Sequence, residues 1–207
     1  MTYLHFIVNP ISGKANHIIN ENRLRKYFPD DVYNIGIDYT KYSKHAEQLT
    51  KEAILKKPDC IIASGGDGTI NEVASSLVGT DIRLGIIPVG SGNGLASNLK
   101  IPLEIEKAIL IIKSGTESLI DVGKVNEHYF FSNMGIGIDA LIIKNYEKQK
   151  QRSLIGYGKA SVSSSFKFKP ISTILLVNGK RFETRPLVLF ISNSNEMGYK
   201  MGLTPFA

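Results

Sequence analysis

The sequence predicts an α/β fold, with a parallel-sheet domain over residues 1–118 and a second, mostly antiparallel β-rich domain over residues 119–207. Three observations carry this. Up to Gly115, short β-like apolar runs alternate with segments of helical periodicity, the pattern of parallel strands joined by crossover helices. Several of these strands run straight into turns rich in Gly, Ser and Asn, which is where open α/β sheets place their ligands. Beyond Gly115 the helical segments give way to paired strands around short turns.

Taken in order, Tyr3 to Val8 reads as the first strand, and a helix is expected from about Lys14 to Phe28 with Ala15, Ile18 and Ile19 on one face. Val32 to Tyr39 is the second strand. Ser43 is placed to cap a helix whose apolar stripe is Ala46, Leu49, Ala53 and Ile54, and Pro58-Asp59 then introduces the buried strand Cys60 to Ser64. Ile70, Val73, Ala74 and Leu77 recur at helical spacing, Leu84 to Pro88 forms the next strand, and Pro102 opens a helix that Gly115 ends. In the second domain, Leu119 to Val125 and Tyr129 to Asn133 pair around Asn126-Glu127. Ile171 to Val177 and Phe182 to Ser192 pair around Asn178-Gly179, a strong hairpin signal. Residues from about Asp139 to Lys169 are expected to be helical or mixed.

Composition narrows the function. A chain of 207 residues with 43% hydrophobic residues can build a real core. Its first residues lack a basic leader with a long apolar run, and no later run approaches a membrane span, so a cytoplasmic protein is expected. The single cysteine, Cys60, sits in an apolar run and reads as a buried structural thiol. The four histidines, His5, His17, His45 and His128, are scattered and lack metal-ligand spacing. The net charge of +6 suits acidic partners. Much of that excess lies in Lys144, Lys148, Lys150, Arg152, Lys159, Lys167 and Lys169, opposed only by Glu147; the segment reads either as a solvated helical face or as a patch held against an anionic bilayer. Nucleic acid is not an expected partner, because no helix-turn-helix pattern, zinc spacing or RNP-like motif accompanies the charge.

The most informative run is Ser64-Gly65-Gly66-Asp67-Gly68-Thr69-Ile70-Asn71-Glu72, between a buried strand and a helix. Glycines there let the backbone reach φ > 0 and approach a ligand, and amides at the helix start form an anion site, with phosphate the natural guest. Asp67 would repel a bare phosphate, so it points to a carboxylate that receives a hydroxyl proton or organises magnesium and water beside the phosphates. The bland alternative, a tight turn with a solvated Asp, is disfavoured by five consecutive motif residues at a strand-to-helix junction. Asn9-Pro10-Ile11-Ser12-Gly13-Lys14 and Pro88-Val89-Gly90-Ser91-Gly92-Asn93-Gly94-Leu95-Ala96 follow two other strands. Neither provides the P-loop pattern or the Rossmann fingerprint, so the anion site is of another kind.

These motifs, with Asn133-x-Gly135-x-Gly137-x-Asp139-Ala140, occur in the order seen in diacylglycerol kinase catalytic domains, and the chain resembles that family over essentially its whole length. Thr40, followed by His45-Ala46, resembles the family's threonine beside the nucleotide. The resemblance implies a first domain similar to phosphofructokinase and NAD kinase, a second that is a β-sandwich, and ATP with Mg2+ as cofactors. It implies ATP-dependent transfer of a phosphoryl group to a lipid hydroxyl such as diacylglycerol or a sphingoid base, by a protein peripheral to the inner membrane face. A homodimer is left open.

On this reading Gly65, Gly66, Gly68 and Thr69 cradle phosphates, and Asn9, Pro10, Ser12, Gly13 and Thr40 surround the nucleotide. Asp67 is the catalytic carboxylate, Asn71 and Glu72 support the loop, and Ser91, Gly92 and Asn93 complete the phosphate side; no residue is assigned as a metal ligand. Asn133 and Asp139 either reach the cleft or act in turns. The family continues past the point corresponding to Ala207 through an Asp-Gly metal segment and a later carboxylate, so the second domain is expected to be incomplete. Two alternatives stand beside the lipid kinase: an NAD kinase-like enzyme, which shares Gly-Gly-Asp-Gly-Thr, and a nucleotide-binding module without catalysis.

Overall fold

The computed structural model describes residues 1–13, 19–138, 140 and 168–194. The basic segment therefore lies outside the described residues except for Lys169, as do Lys14 to Ile18, Asp139 and everything after Ser194. Two compact units form: Met1–Ser132 together with Asn193 and Ser194, and Asn133–Ser192.

The first unit is built on a four-stranded parallel sheet in the order β2-β1-β3-β4, from β1 (Thr2–Val8), β2 (Tyr33–Tyr39), β3 (Cys60–Gly65) and β4 (Arg83–Pro88). Every position of β3 is buried, as expected of a central strand covered on both faces. Alternation sorts the side chains. Leu4, Phe6, Val8 and Ile62 pack with Leu24, Phe28, Ile105, Ala108 and Ile109, the last three from α5 (Ile105–Ser114) and Leu24 from α1 (Glu21–Arg25). Ile7, Ile61, Ala63 and Ile86 face α2 (His45–Leu55) and α3 (Asp67–Leu77), which contribute Ala46, Leu49, Ala53, Ile70, Val73, Ala74 and Leu77. Layers on both faces leave the carboxyl ends of the strands as the open edge that carries the loops.

Local chemistry moves several expected boundaries. In place of a helix from Lys14 to Phe28, the described residues contain only α1, whose start is fixed by Asn20: its side chain accepts a hydrogen bond from the Arg23 N–H at 3.0 Å. Ser43 does not cap α2; Lys44 holds the cap position in the left-handed region (φ 66°) with no side-chain cap of its own. The helix expected to open at Pro102 starts at Ile105, the first residue of that stretch to enter the core, with Leu103 left exposed. A short α4 (Gly94–Asn98) was hidden in the glycine-rich turn.

The hairpin of β5 (Gly123–Val125) and β6 (His128–Phe130) turns at Asn126 (φ 50°) and belongs to the first unit, where Tyr129 and Phe131 pack on the α2/α3 core. Its first strand is shorter than the expected Leu119 to Val125, because Leu119 is fully exposed and has nothing to pair against. In the second unit, β7 (Asn133–Gly137) pairs antiparallel with β10 (Val188–Ser192). A hairpin joins β8 (Thr173–Val177) to β9 (Lys180–Thr184) through Asn178 and Gly179, both at positive φ. The run from Phe182 to Ser192 is two strands, broken at Pro186, which has no N–H to give a ladder.

Candidate functional site

Four loops leave the carboxyl ends of β1 to β4; the third runs into α3, and the other three are hydrogen-bonded to α3 or to the turn that precedes it. From the first loop, Ser12 Oγ accepts the Gly66 N–H at 3.0 Å, and Asn9 Nδ2 donates to Thr69 Oγ1 at 3.0 Å. Asn9 is itself fixed: its N–H donates to the Ser64 carbonyl at 2.8 Å, and its Oδ1 accepts the Ile11 N–H at 3.2 Å across Pro10. From the second loop, the Lys44 and Ala46 N–H groups donate to the two Glu72 carboxylate oxygens at 3.0 and 3.1 Å. From the fourth loop, the Gly94 N–H donates to Asp67 Oδ1 at 2.7 Å. Asn93, left-handed at φ 53°, braces that loop by accepting the Gly90 N–H at 2.9 Å and donating to the Gly90 carbonyl at 2.7 Å.

Of the two roles expected of the motif's glycines, φ > 0 and close approach, Gly65, Gly66 and Gly68 do not use the first. Gly66 is extended (φ −90°, ψ −175°), and neither Gly65 nor Gly68 lies in the left-handed region. A β-carbon on Gly65 would fall 2.5 Å from Thr69 Cβ, one on Gly66 3.2 Å from Gly90 Cα, and one on Gly90 would run into Gly66 Cα. The third and fourth loops thus touch backbone to backbone. Among the glycines of the cluster Gly13 alone has positive φ (74°), and a β-carbon there would run into the Val89 carbonyl. Gly68 is different: a β-carbon there would meet nothing within 4 Å, so the first turn of α3 opens onto free space.

That opening has the character of an anion site. The amides of the first turn of an eleven-residue helix have no partner within the helix, and the helix dipole adds positive potential there. Asp67 stands exposed beside it, one oxygen committed to Gly94 and the other 2.8 Å from where a Gly92 β-carbon would be. Among the described residues no three His, Cys, Asp or Glu side chains gather into a metal cage.

Of the residues singled out in the sequence, Asn9, Pro10, Ser12, Gly13, Gly65, Gly66, Asp67, Gly68, Thr69, Gly92 and Asn93 are brought together at this edge. Thr40 is nine-tenths buried at the end of β2, its N–H donating to the Val8 carbonyl at 2.8 Å, one residue before Asn9. Ser91 and Asn71 are exposed, the first on the fourth loop and the second on α3. Asn133 belongs to the second unit, where its Oδ1 accepts the Ser192 hydroxyl at 2.6 Å. Sequence reading missed Gly94 as the partner of Asp67, and although it noted His45 after Thr40 it did not foresee that His45 Nδ1 accepts the Lys41 N–H at 3.1 Å. The glycine after Asn93 was the available signal for the first.

A parallel sheet covered by helices on both faces, with an open helix start and an adjacent carboxylate at the carboxyl ends of its strands, defines an α/β domain of the doubly wound class. The sequence profile of the diacylglycerol kinase catalytic domain matches residues 3–125, and the chain belongs to that family. The diacylglycerol kinase of Bacillus subtilis is 32% identical, with 99% of this chain and 69% of that protein aligned. A probable lipid kinase YegS-like of Pectobacterium atrosepticum is 31% identical over 86% of this chain and 62% of that protein, so the chain spans under two thirds of that relative's length. A solved structure, a putative diacylglycerol kinase from Bacillus anthracis, superposes with a TM-score of 0.71 at 25% identity, covering 94% of this chain and 67% of that one.

Proposed function

We propose that this protein is an ATP-dependent lipid kinase that transfers the γ-phosphoryl group to a lipid hydroxyl, with diacylglycerol as the first acceptor to test and a sphingoid base as the second. The observation that carries the reading is the open start of α3: unpaired first-turn amides, clear space over Gly68, and the Asp67 carboxylate at its rim. Family membership and the printed names of the relatives support it, and the same membership speaks against the NAD kinase alternative.

In this reading the amides of Gly68 and Thr69 bind the transferring phosphates, and the contacts of Asn9 and Ser12 hold the helix start in place before the nucleotide arrives. Phosphoryl transfer needs little covalent chemistry from the protein, so positioning and charge neutralisation do most of the work. Asp67, held at one oxygen by Gly94, keeps a fixed orientation, and with its other oxygen it orders magnesium-bound water or draws the acceptor hydroxyl proton. Mg2+, when bound with ATP, neutralises phosphate charge. The second unit is proposed as part of an antiparallel β-sandwich, and the protein as peripheral to the inner face of the membrane. No described helix is long and apolar enough to cross a bilayer.

The test is turnover of labelled ATP against a panel of lipids in mixed micelles with Mg2+. Labelled phosphatidic acid, or a phosphorylated sphingoid base, is the expected product. ATP bound without transfer to any lipid hydroxyl would overturn the kinase reading in favour of a nucleotide-binding module.

A further inference from the structure

We propose that Glu72 is a positioning residue, which fixes the Thr40–Ala46 turn for the nucleotide instead of contacting the nucleotide itself; this rests on the kinase reading. The carboxylate is fully engaged in an unusual way. Both oxygens accept backbone N–H groups, from Lys44 at 3.0 Å and Ala46 at 3.1 Å, and no ion pair of Glu72 is found among the described residues. These donors sit at the start of α2, where orphan amides need a cap. The residue in the cap position cannot provide one: Lys44 is left-handed at φ 66° and makes no side-chain cap bond. A cap normally supplied within the helix is here supplied from a different helix, 26 and 28 residues along the chain.

Position on α3 gives this cap its consequence. Thr69 and Glu72 are three residues apart and so lie on one face of the helix. Thr69 holds Asn9, next to β1, and Glu72 holds the turn that follows β2. The turn is pinned at its other end by the Thr40 N–H on the Val8 carbonyl and, within, by the Lys41 N–H on His45 Nδ1. A strained left-handed residue inside a turn anchored at both ends is the arrangement that persists only when the surroundings over-determine it. Glu72 thereby locks the turn bearing Thr40 to the same helix whose first turn faces the phosphate.

The experiment combines amide hydrogen exchange with a double-mutant cycle on ATP affinity, using the 207-residue chain and the variants Glu72→Gln, Glu72→Ala, Thr40→Val and Thr40→Val with Glu72→Ala. Without ligand, Glu72→Ala is expected to speed exchange at Lys44 and Ala46 by roughly tenfold, the loss of about one cap, while amides in the middle of α3 keep their protection. In calorimetric titration with ATP, Glu72→Ala and Thr40→Val should each weaken binding by about tenfold, with the double variant no weaker than the worse single one, because both act through one turn. Glu72→Gln, which keeps one acceptor oxygen, should fall between wild type and Ala. Additive losses would overturn the proposal by showing an independent contact with the nucleotide, and unchanged ATP affinity with faster exchange would reduce Glu72 to a helix cap. A wild-type chain with no affinity for ATP would overturn the kinase reading, and exchange at Lys44 and Ala46 then decides by itself whether Glu72 holds the turn.

Discussion

The Asp67 carboxylate accepts the Gly94 N–H at 2.7 Å across 27 residues of sequence, tying the start of α3 to the start of α4. A residue that the motif marks as chemical is therefore also a structural clasp, and its two functions can be separated by a substitution that keeps the acceptor and removes the charge.

Asp67→Asn retains an oxygen that accepts from Gly94 and keeps the side-chain size. The folded structure is expected to survive, with an unchanged far-ultraviolet circular dichroism spectrum. Phosphoryl transfer is expected to fall by about two to three orders of magnitude, the scale seen when one electrostatic contact to a developing charge is removed. Steady-state turnover with labelled ATP checks this, and wild-type turnover would remove Asp67 from the mechanism.

Gly66, Gly68 and Gly90, in the third loop, the first turn of α3 and the fourth loop, should respond differently to alanine. Gly90→Ala drives a methyl group into the Gly66 backbone, so a stability loss of roughly 1–3 kcal/mol is expected in urea denaturation, together with weakened ATP binding. Gly66→Ala is milder, since its methyl would sit 3.2 Å from Gly90 Cα. Gly68→Ala meets nothing within 4 Å and removes a glycine from a helix, so stability should hold or rise by up to about 1 kcal/mol. ATP affinity should nevertheless drop, because the methyl occupies the space assigned to phosphate. A Gly68→Ala protein with full ATP affinity would place the phosphates elsewhere.

Stability should depend on pH through a part-buried trio on β1 and β2. His5 is almost fully buried; Nε2 lies 2.8 Å from Asp38 Oδ2 and Nδ1 lies 2.9 Å from the Tyr3 hydroxyl. A carboxylate only accepts, so Nε2 carries the proton and Nδ1 accepts from Tyr3. Burial lowers the His5 pKa from its ordinary value, against the opposing pull of Asp38. In the window between that lowered value and about 6.5 the unfolded chain binds more protons than the folded one. Stability from this group is thus complete above about pH 6.5 and is lost as pH falls through the window. Urea midpoints from pH 7.5 to 5.5 should fall more steeply for wild type than for His5→Gln, and equal slopes would show that His5 does not titrate differently in the two states.

Cys60 should be silent toward thiol reagents in the native protein. Burial pushes its thiol pKa up to about 12, so almost no thiolate exists at pH 8. Titration with an aromatic disulfide is expected to show no reaction until denaturant is added, and then one equivalent. Rapid native-state labelling would contradict the buried position.

Local pattern determined much of this molecule. The strand expected over Cys60 to Ser64 from its apolar run, the Asp-Gly-Thr start of α3 and the Asn178-Gly179 turn were legible because each depends on residues adjacent in sequence, through burial period, helix-start chemistry and turn preference. The order of four motifs was enough to indicate the family. What the tertiary structure alone decided was how those motifs use one another. That Gly66 faces Gly90, that Asp67 holds Gly94, that Glu72 caps a helix whose cap position lies 28 residues earlier and that His5 lies on Asp38 are all contacts between distant segments. A glycine required for close approach and a glycine required for positive φ are the same letter, and a carboxylate aimed at a backbone amide looks no different from one aimed at a ligand. Only the hydrogen bonds that the loops after β1, β2 and β4 make to α3 and to the turn before it separate them, because they fix which polar groups are already satisfied and which first-turn amides are left open.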